Sequence, residues 1–247
     1  MNNTIDLNCD LGEGLDNDAL LMALISSANI ACGYHAGDSE IMKRTVELAL
    51  QNHIAIGAHP GFNDKINFGR IEIPISLPHL FDLITEQIYL LKKITDSFGT
   101  KIHHIKPHGA LYNMAARDSK MARTIAAAIC SVDSKCILYG LSGSHLIKEA
   151  AALNLRTASE TFADRSYQAD GSLTPRSMPG AIIEKTENSV AQVLQMVQQR
   201  TVTTNLGEII PIKAETICIH GDGKNAVQFA KQTREKLNEN RISIQTI

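Results

Sequence analysis

The chain has 247 residues, 44% of them hydrophobic, and a formal net charge of -2. This length suits one large α/β barrel domain or two small domains. The near-neutral balance and the lack of a long basic run argue against a general nucleic-acid binder. Cys9, Cys32, Cys130, Cys136 and Cys218 are odd in number and form no C-x-x-C pair, so they read as reduced core thiols rather than as disulfides or a zinc ribbon. MNNTIDLNCD lacks the features of a signal peptide, and the apolar stretch ALLMALI is too short to cross a bilayer. The expectation is a cytoplasmic protein with no membrane partner.

Apolar, strand-like segments alternate with stretches of helical periodicity. TIDLNC is followed by ALLMALI, which Asp16 is placed to cap. ANIAC leads through Asp38, a candidate N-cap, into EIMKRTVELAL, where Ile41, Met42, Thr45, Val46 and Ala49 form an apolar stripe. IAIGA precedes the long helical pattern LFDLITEQIYLLKKITDSF, opened by Ser76 and Pro78. HHIK and CILYG follow, then LIKEAAAL behind Ser144, and finally RTASE and TICIH. Seven strand-helix units predict a parallel sheet covered by helices. Nearly every strand ends in polar or glycine-rich residues, which favours a closed barrel over an open sheet with one switch point. Seven units rather than eight predict a distorted (β/α) TIM-like barrel, a single domain over 1–247. Residues 161–182 read as a long functional loop, and 200–213 as a hairpin.

In a parallel barrel the C-terminal strand ends surround one cavity, so distant residues converge there. Those ends carry Asp10 and Glu13, His35 and Asp38, His59, Lys106 and His108, Glu160, Asp164 and Arg165, and His220 with Asp222. Each has a plainer reading: Asp10 can bond the N–H groups of the DLGEG turn, and Asp38 can serve only as an N-cap. Four histidines at four strand ends point collectively to a site. His53, His79 and His145 are expected to be structural or exposed, and His103 and His104 to be core or wall residues. If a divalent metal is present, Asp10, His35 and His59 supply suitable ligands, although no HExxH pair occurs. GDGK at 221–224 fails as a phosphate loop because Cys218 and Asn225 stand where glycine and Ser or Thr are required. No G-x-S-x-G nucleophile is present, whereas carboxylate, histidine and lysine acid/base groups are plentiful.

The succession DLNCDLGEG, SANIACGYHAGD, IGAHPG, FGR, KPHGALYN, ETFADRSYQADGSL, PGA and HGD resembles the LamB/YcsF family from Asp6 to about Ala230. Two positions depart from the family pattern: Ile71 stands where a second arginine often follows FGR, and Gly223 where Thr often follows HGD. The resemblance implies a fold similar to the polysaccharide deacetylases. It also implies a component of an ATP-dependent 5-oxoprolinase, opening the lactam of 5-oxo-L-proline to L-glutamate with partner subunits B and C. ATP would be bound with or by those partners. On this reading Asp10 or Glu13 orients or deprotonates water, and His35, His59 or His108 gives the proton or electrostatic support. Lys106, Arg165 or Arg176 holds the substrate carboxylate or the phosphorylated oxygen. Asp38, Arg70, Glu160, Asp164, His220 and Asp222 complete the expected substrate-binding set. Two other functions are compatible with the residues: a metal-dependent amide hydrolase or deacetylase acting alone, and a non-catalytic subunit that binds the lactam.

Overall fold

Alternation within the first strand sets the architecture. Ile5, Leu7, Cys9 and Leu11 belong to the apolar core between sheet and helices, while Asp6, Asn8 and Asp10 point the other way, since successive strand side chains take opposite faces. The computed structural model describes residues 4–223 and 225–247. Residues 1–3 of the N-terminal stretch and the last residue of GDGK lie outside the described residues.

The order is β1 (Thr4–Leu11), α1 (Asp18–Met22), β2 (Ser27–Ala31), α2 (Ser39–Gln51), β3 (Ala55–His59), α3 (Leu77–Ser97), β4 (His104–Ile105), α4 (Gly109–Arg117) and α5 (Ser119–Asp133). It continues with β5 (Ile137–Leu141), α6 (His145–Ala152), β6 (Arg156–Phe162), α7 (Thr186–Leu194), a π turn at Gln195–Gln199, β7 (Thr201–Thr203), β8 (Ile209–Pro211), β9 (Thr216–His220), α8 (Ala226–Glu239) and β10 (Ser243–Ile244). Strands β1 to β6 run parallel in sequence order, and β9 pairs with both β6 and β1, so seven staves close a barrel. The seven expected strands are these seven. β10 adds to the outer end of β1, and β7 with β8 forms an antiparallel hairpin outside the barrel.

The outer faces bury apolar stripes. In α2, Met42, Thr45, Val46 and Ala49 recur at helical spacing and are buried, as are Leu80, Ile84, Ile88 and Leu91 in α3. Each such aliphatic side chain contributes on the order of 1.5–3 kcal/mol on leaving water. Asp38 does cap α2, accepting from the Ile41 N–H at 2.9 Å. Asp16 does not cap α1, which begins at Asp18 with Asn17 in the cap position. The Asp18 carboxylate instead accepts the Gly12 N–H at 2.9 Å, so Asp18 rather than Asp10 ties down the DLGEG turn.

The lumen is polar. At its lower end Asp6 accepts from Ser27 Oγ at 2.7 Å and Thr216 Oγ1 at 2.6 Å, beside a small apolar cluster of Ile137, Tyr139 and Ala158. One layer higher Asn29 donates to Asn8 at 2.7 Å, and His104 Nε2 donates to Asn29 Oδ1 at 2.8 Å. The His104 ring stacks on Tyr139 with centroids 4.1 Å apart. Burial is affordable because each group finds a partner; a buried polar group left unpaired costs about 1–3 kcal/mol.

Gly57 on β3 makes room for this layer, since a Cβ there would overlap the His104 ring. Gly57→Ala is therefore expected to destabilise the fold by about 1–3 kcal/mol in urea unfolding. The exposed Lys43→Ala should change stability by no more than about 0.5 kcal/mol; equal effects would refute the packing argument.

Candidate active site

The top layer of the lumen is built on Lys106, which follows β4 directly. Its ammonium lies 2.8 Å from Asp10 Oδ1, 3.0 Å from Glu160 Oε1 and 3.0 Å from Cys218 Sγ. Asp10, Glu160 and Cys218 come from β1, β6 and β9, so one cation ties three staves to β4. Tyr112 donates its hydroxyl to Glu160 Oε2 at 2.7 Å, and Asn29 donates to Asp10 Oδ1 at 2.8 Å. Burial pushes the Asp10 carboxyl up, but the adjacent His59 and the Lys106 ammonium outweigh it and hold the group well below the usual carboxylate range. Burial would likewise depress Lys106, yet Asp10, Cys218 and Glu160 keep the ammonium charged well above its ordinary range.

Beside this pair lies a second cluster made by three strand-end histidines and Glu13. His59 Nδ1 donates to the Lys106 carbonyl at 2.7 Å, and His108 Nε2 donates to the Phe68 carbonyl at 2.8 Å. His59 Nε2 then faces His108 Nδ1 at 2.9 Å and Asp10 Oδ2 at 3.4 Å. His35 stacks on His108 with centroids 3.8 Å apart, and its Nε2 lies 3.5 Å from Glu13 Oε1. Gly69, with φ +61°, permits this close packing: a Cβ there would come within 2.8 Å of His35 Cβ. Gln87 on α3 fixes the facing loop by accepting from Gly61 N–H and donating to its carbonyl, at 3.0 and 2.9 Å. Burial, reinforced by Asp10 and Asp222, raises the Glu13 carboxyl well above its ordinary range. Burial lowers His35 and His108, each helped by neighbouring imidazole charge. Two carboxyl groups three residues apart are thus driven in opposite directions, the environment that separates acid from base roles.

A cavity of about 940 Å³ opens over this layer, lined among others by Asp10, His59, Lys106, Phe162 and His220. His108, Arg70, Arg165 and Arg176 also line it, whereas Glu13, His35, Glu160 and Asp164 support the lining from behind. Asp164 accepts from His220 Nδ1 at 2.9 Å. Arg165 donates Nη2 to the Thr174 carbonyl at 2.6 Å and Nε to the Ala181 carbonyl at 3.2 Å, which pins the long loop over the mouth. Burial and the nearby Arg176 lower its guanidinium to about 10. Arg70 pairs with Asp222 and lies over the Phe68 ring. Asp38 is exposed, spends its carboxylate on the α2 cap and does not line the cavity.

Sequence reasoning missed Asn8, Asn29, Tyr112 and Cys218, which hold Asp10, Lys106 and Glu160. The alternation of TIDLNC, SANIA and TICIH carried the signal: polar or small residues occupy every second position, all facing one lumen. Of the residues expected as metal ligands, His35 and His59 lie with Glu13 and His108, donor atoms of the four being within 4.8 Å of one another, and Asp10 lies beside them, its Oδ2 3.4 Å from His59 Nε2. Among the described residues no helix is long and apolar enough to cross a membrane.

Comparison with known proteins bears on the family and the fold. The model of the LamB/YcsF family matches residues 5–247. A protein of Geobacillus kaustophilus named as the A component of 5-oxoprolinase is 50% identical over 246 residues, covering 98% of this chain and 96% of the relative. The crystal structure of a lactam utilization protein from Thermus thermophilus superposes with a TM-score of 0.93 at 37% identity, covering 99% of this chain and all of that one. A family 4 carbohydrate esterase from Streptomyces lividans, at 8% identity and a TM-score of 0.52 over 99% of this chain and 92% of its own, shares the fold alone.

The Asp164 and His220 pair generates a pH prediction. Burial raises the Asp164 carboxyl, but the His220 charge and hydrogen bond outweigh it, so the folded value lies below the ordinary 3.8. Stability from this group is therefore present above that ordinary value and lost as pH falls through the folded one. Urea midpoints from neutral pH to about pH 3 should show the gap between wild type and Asp164→Asn narrowing on acidification. A constant gap would refute the linkage.

Proposed function

The chain belongs to the LamB/YcsF family, and from that premise we propose that it is the A component of an ATP-dependent 5-oxoprolinase, working with partner subunits B and C. The reaction opens the lactam of 5-oxo-L-proline to L-glutamate. The observation that carries this reading is the ionised Asp10 held against Lys106 in the floor of a cavity wide enough for a small cyclic amide.

A lactam is resonance-stabilised, and its opening needs water at the carbonyl carbon, stabilisation of the carbonyl oxygen and a proton for the departing ring nitrogen. Asp10 is the base: it takes a proton from water as the water oxygen bonds to carbon. Lys106 keeps Asp10 ionised and offers a fixed positive charge in a water-poor layer, where such a charge stabilises a developing anion strongly. His220 is the proton donor to the ring nitrogen as the C–N bond breaks. Its Nδ1 is held by Asp164, and a ring nitrogen lies within 4.8 Å of an Asp10 oxygen. Asp164 thereby orients the imidazole, as the acid of a triad does.

ATP, bound with or by the partner subunits, would supply activation of the lactam oxygen by phosphorylation; the acyl phosphate left after C–N cleavage would take a second water and release inorganic phosphate with L-glutamate. Arg165 and Arg176 suit an anion at the mouth, because burial and then the neighbouring Arg176 charge depress Arg165, and an anion relieves the repulsion. Either the substrate carboxylate or a phosphoryl group fits this chemistry. Phe162 and Tyr112 offer apolar faces to the ring methylenes.

Reconstitution tests the reading. Glutamate and ADP release from 5-oxo-L-proline plus ATP should require this chain together with subunits B and C. Asp10→Asn should lower kcat by about 10²- to 10⁴-fold, and Lys106→Met by about 10²- to 10³-fold, while size-exclusion chromatography still finds the assembled complex. Turnover by this chain alone would reject the partner requirement, and a wild-type rate in Asp10→Asn would reject Asp10 as base.

A further inference from the structure

We propose that Glu13, His35, His59 and His108 form a binding site for one divalent cation of the zinc class. The four donor atoms come from four strand-end loops, all four residues are buried, and the atoms lie within 4.8 Å of one another. Donor geometry carries this site, independently of the lactam reading.

Hydrogen bonding supplies the decisive constraint. A backbone carbonyl only accepts, so His59 Nδ1 carries a proton toward Lys106 and His108 Nε2 carries one toward Phe68. In their neutral forms the nitrogens left over, His59 Nε2 and His108 Nδ1, present lone pairs to each other at 2.9 Å. Asp10 Oδ2, another acceptor, lies 3.4 Å from the first, and Glu13 Oε1, which becomes a ligand on losing the carboxyl proton, lies 3.7 Å from the second. Acceptors facing acceptors need a positive centre between them. One proton would satisfy the His59 and His108 pair, but it would leave both ring nitrogens of His35 and Glu13 Oε1 as they stand: buried and without a hydrogen-bond partner. A cation uses them all.

The surroundings fit that role. Histidine ligands usually donate their second ring nitrogen to a carbonyl or carboxylate, which fixes the tautomer, and His59 and His108 both do so. Three imidazoles and one carboxylate suit zinc and its late first-row neighbours rather than magnesium or calcium. Bond lengths of about 2.0–2.2 Å require the more distant donors to draw in and the His59 and His108 nitrogens, now 2.9 Å apart, to open. His35, stacked parallel to His108 within 4°, must turn about its Cβ–Cγ bond to join. Among the described residues, a second group of donors, Asp10, Cys218 and His220, is near at hand. Lys106 already places its ammonium against Asp10 and Cys218, so the cation belongs on the Glu13 side.

Cobalt(II) is the probe, because its visible absorption reports ligand number directly. The full chain, stripped with a chelator and titrated with cobalt chloride, should bind one equivalent with d–d bands that zinc chloride abolishes. Glu13→Gln and His35→Ala should each weaken binding at least about tenfold, and His145→Ala, outside the quartet, should not. Histidine side-chain nitrogen spectra of the wild-type chain give the same answer without substitution: zinc should shift three buried imidazoles and leave His53 and His79 unchanged. No cobalt band in the wild type, or zinc shifts confined to His53, His79 or His145, would overturn the site.

Discussion

The ion pair of Lys106 and Asp10 is the contact on which the barrel's upper half depends. A lysine ammonium has no place in a dry lumen unless anionic and polar acceptors surround it, since burying an unpaired charge costs several kcal/mol. Here Asp10, Glu160 and Cys218 meet it from three staves, and Asn8 lies 3.4 Å away. The same contact that closes the barrel also fixes the protonation of its central carboxylate. Structure and chemistry share one interaction, so the site is no looser than the fold.

That arrangement follows from an inverted barrel interior. TIM-type barrels commonly fill their lumen with branched aliphatic residues; here Asp6, Asn8, Asn29, His104 and Thr216 fill it with hydrogen bonds, and Ile137, Tyr139 and Ala158 form a small apolar plug. The hydrophobic stabilisation moves to the outer face, where helices cover Leu7, Ile30, Ile56, Ile105, Leu138 and Ile217. A polar column of this kind rigidifies only when every member is satisfied. Its upper end, where acceptors crowd one another around Glu13 and His35, is the part left unsatisfied, and there the cavity and the donor cluster sit.

The seven staves were legible because each is a short apolar run that ends in a polar tip, and the tip residues gather as parallel topology requires. Four helices, α4, α5, α7 and α8, went unread. His108, Lys185 and Asn225 stand at three of their caps without a side-chain hydrogen bond, so no cap signal marks them. Asp118 caps α5, but only one residue separates it from the preceding helix, which hides the boundary. Asp38 shows the opposite failure: a polar tip residue that serves its helix and not the cavity. The alternation of SANIA puts Asn29 on the lumen face, but its partner Asp10 is on another stave and only strand register brings the two together; Tyr112 reaches Glu160 of β6 from helix α4, whose start carries no cap signal.

Asp10 and Glu13 illustrate how finely position decides chemistry. Three residues apart, they leave the same strand, and both are buried carboxyl groups. Asp10 still lies in the strand, facing Lys106 across the lumen, and ionises. Glu13 lies past the turn that Asp18 anchors at Gly12, where the burial is similar but no cation comes into contact, and Asp10's own charge opposes ionisation. Shifting Asp10 by one position along β1 would exchange lumen for core. The spacing in DLGEG is therefore the device that gives one loop an ionised carboxylate beside a neutral one, and it places the neutral group among imidazoles that are themselves held neutral.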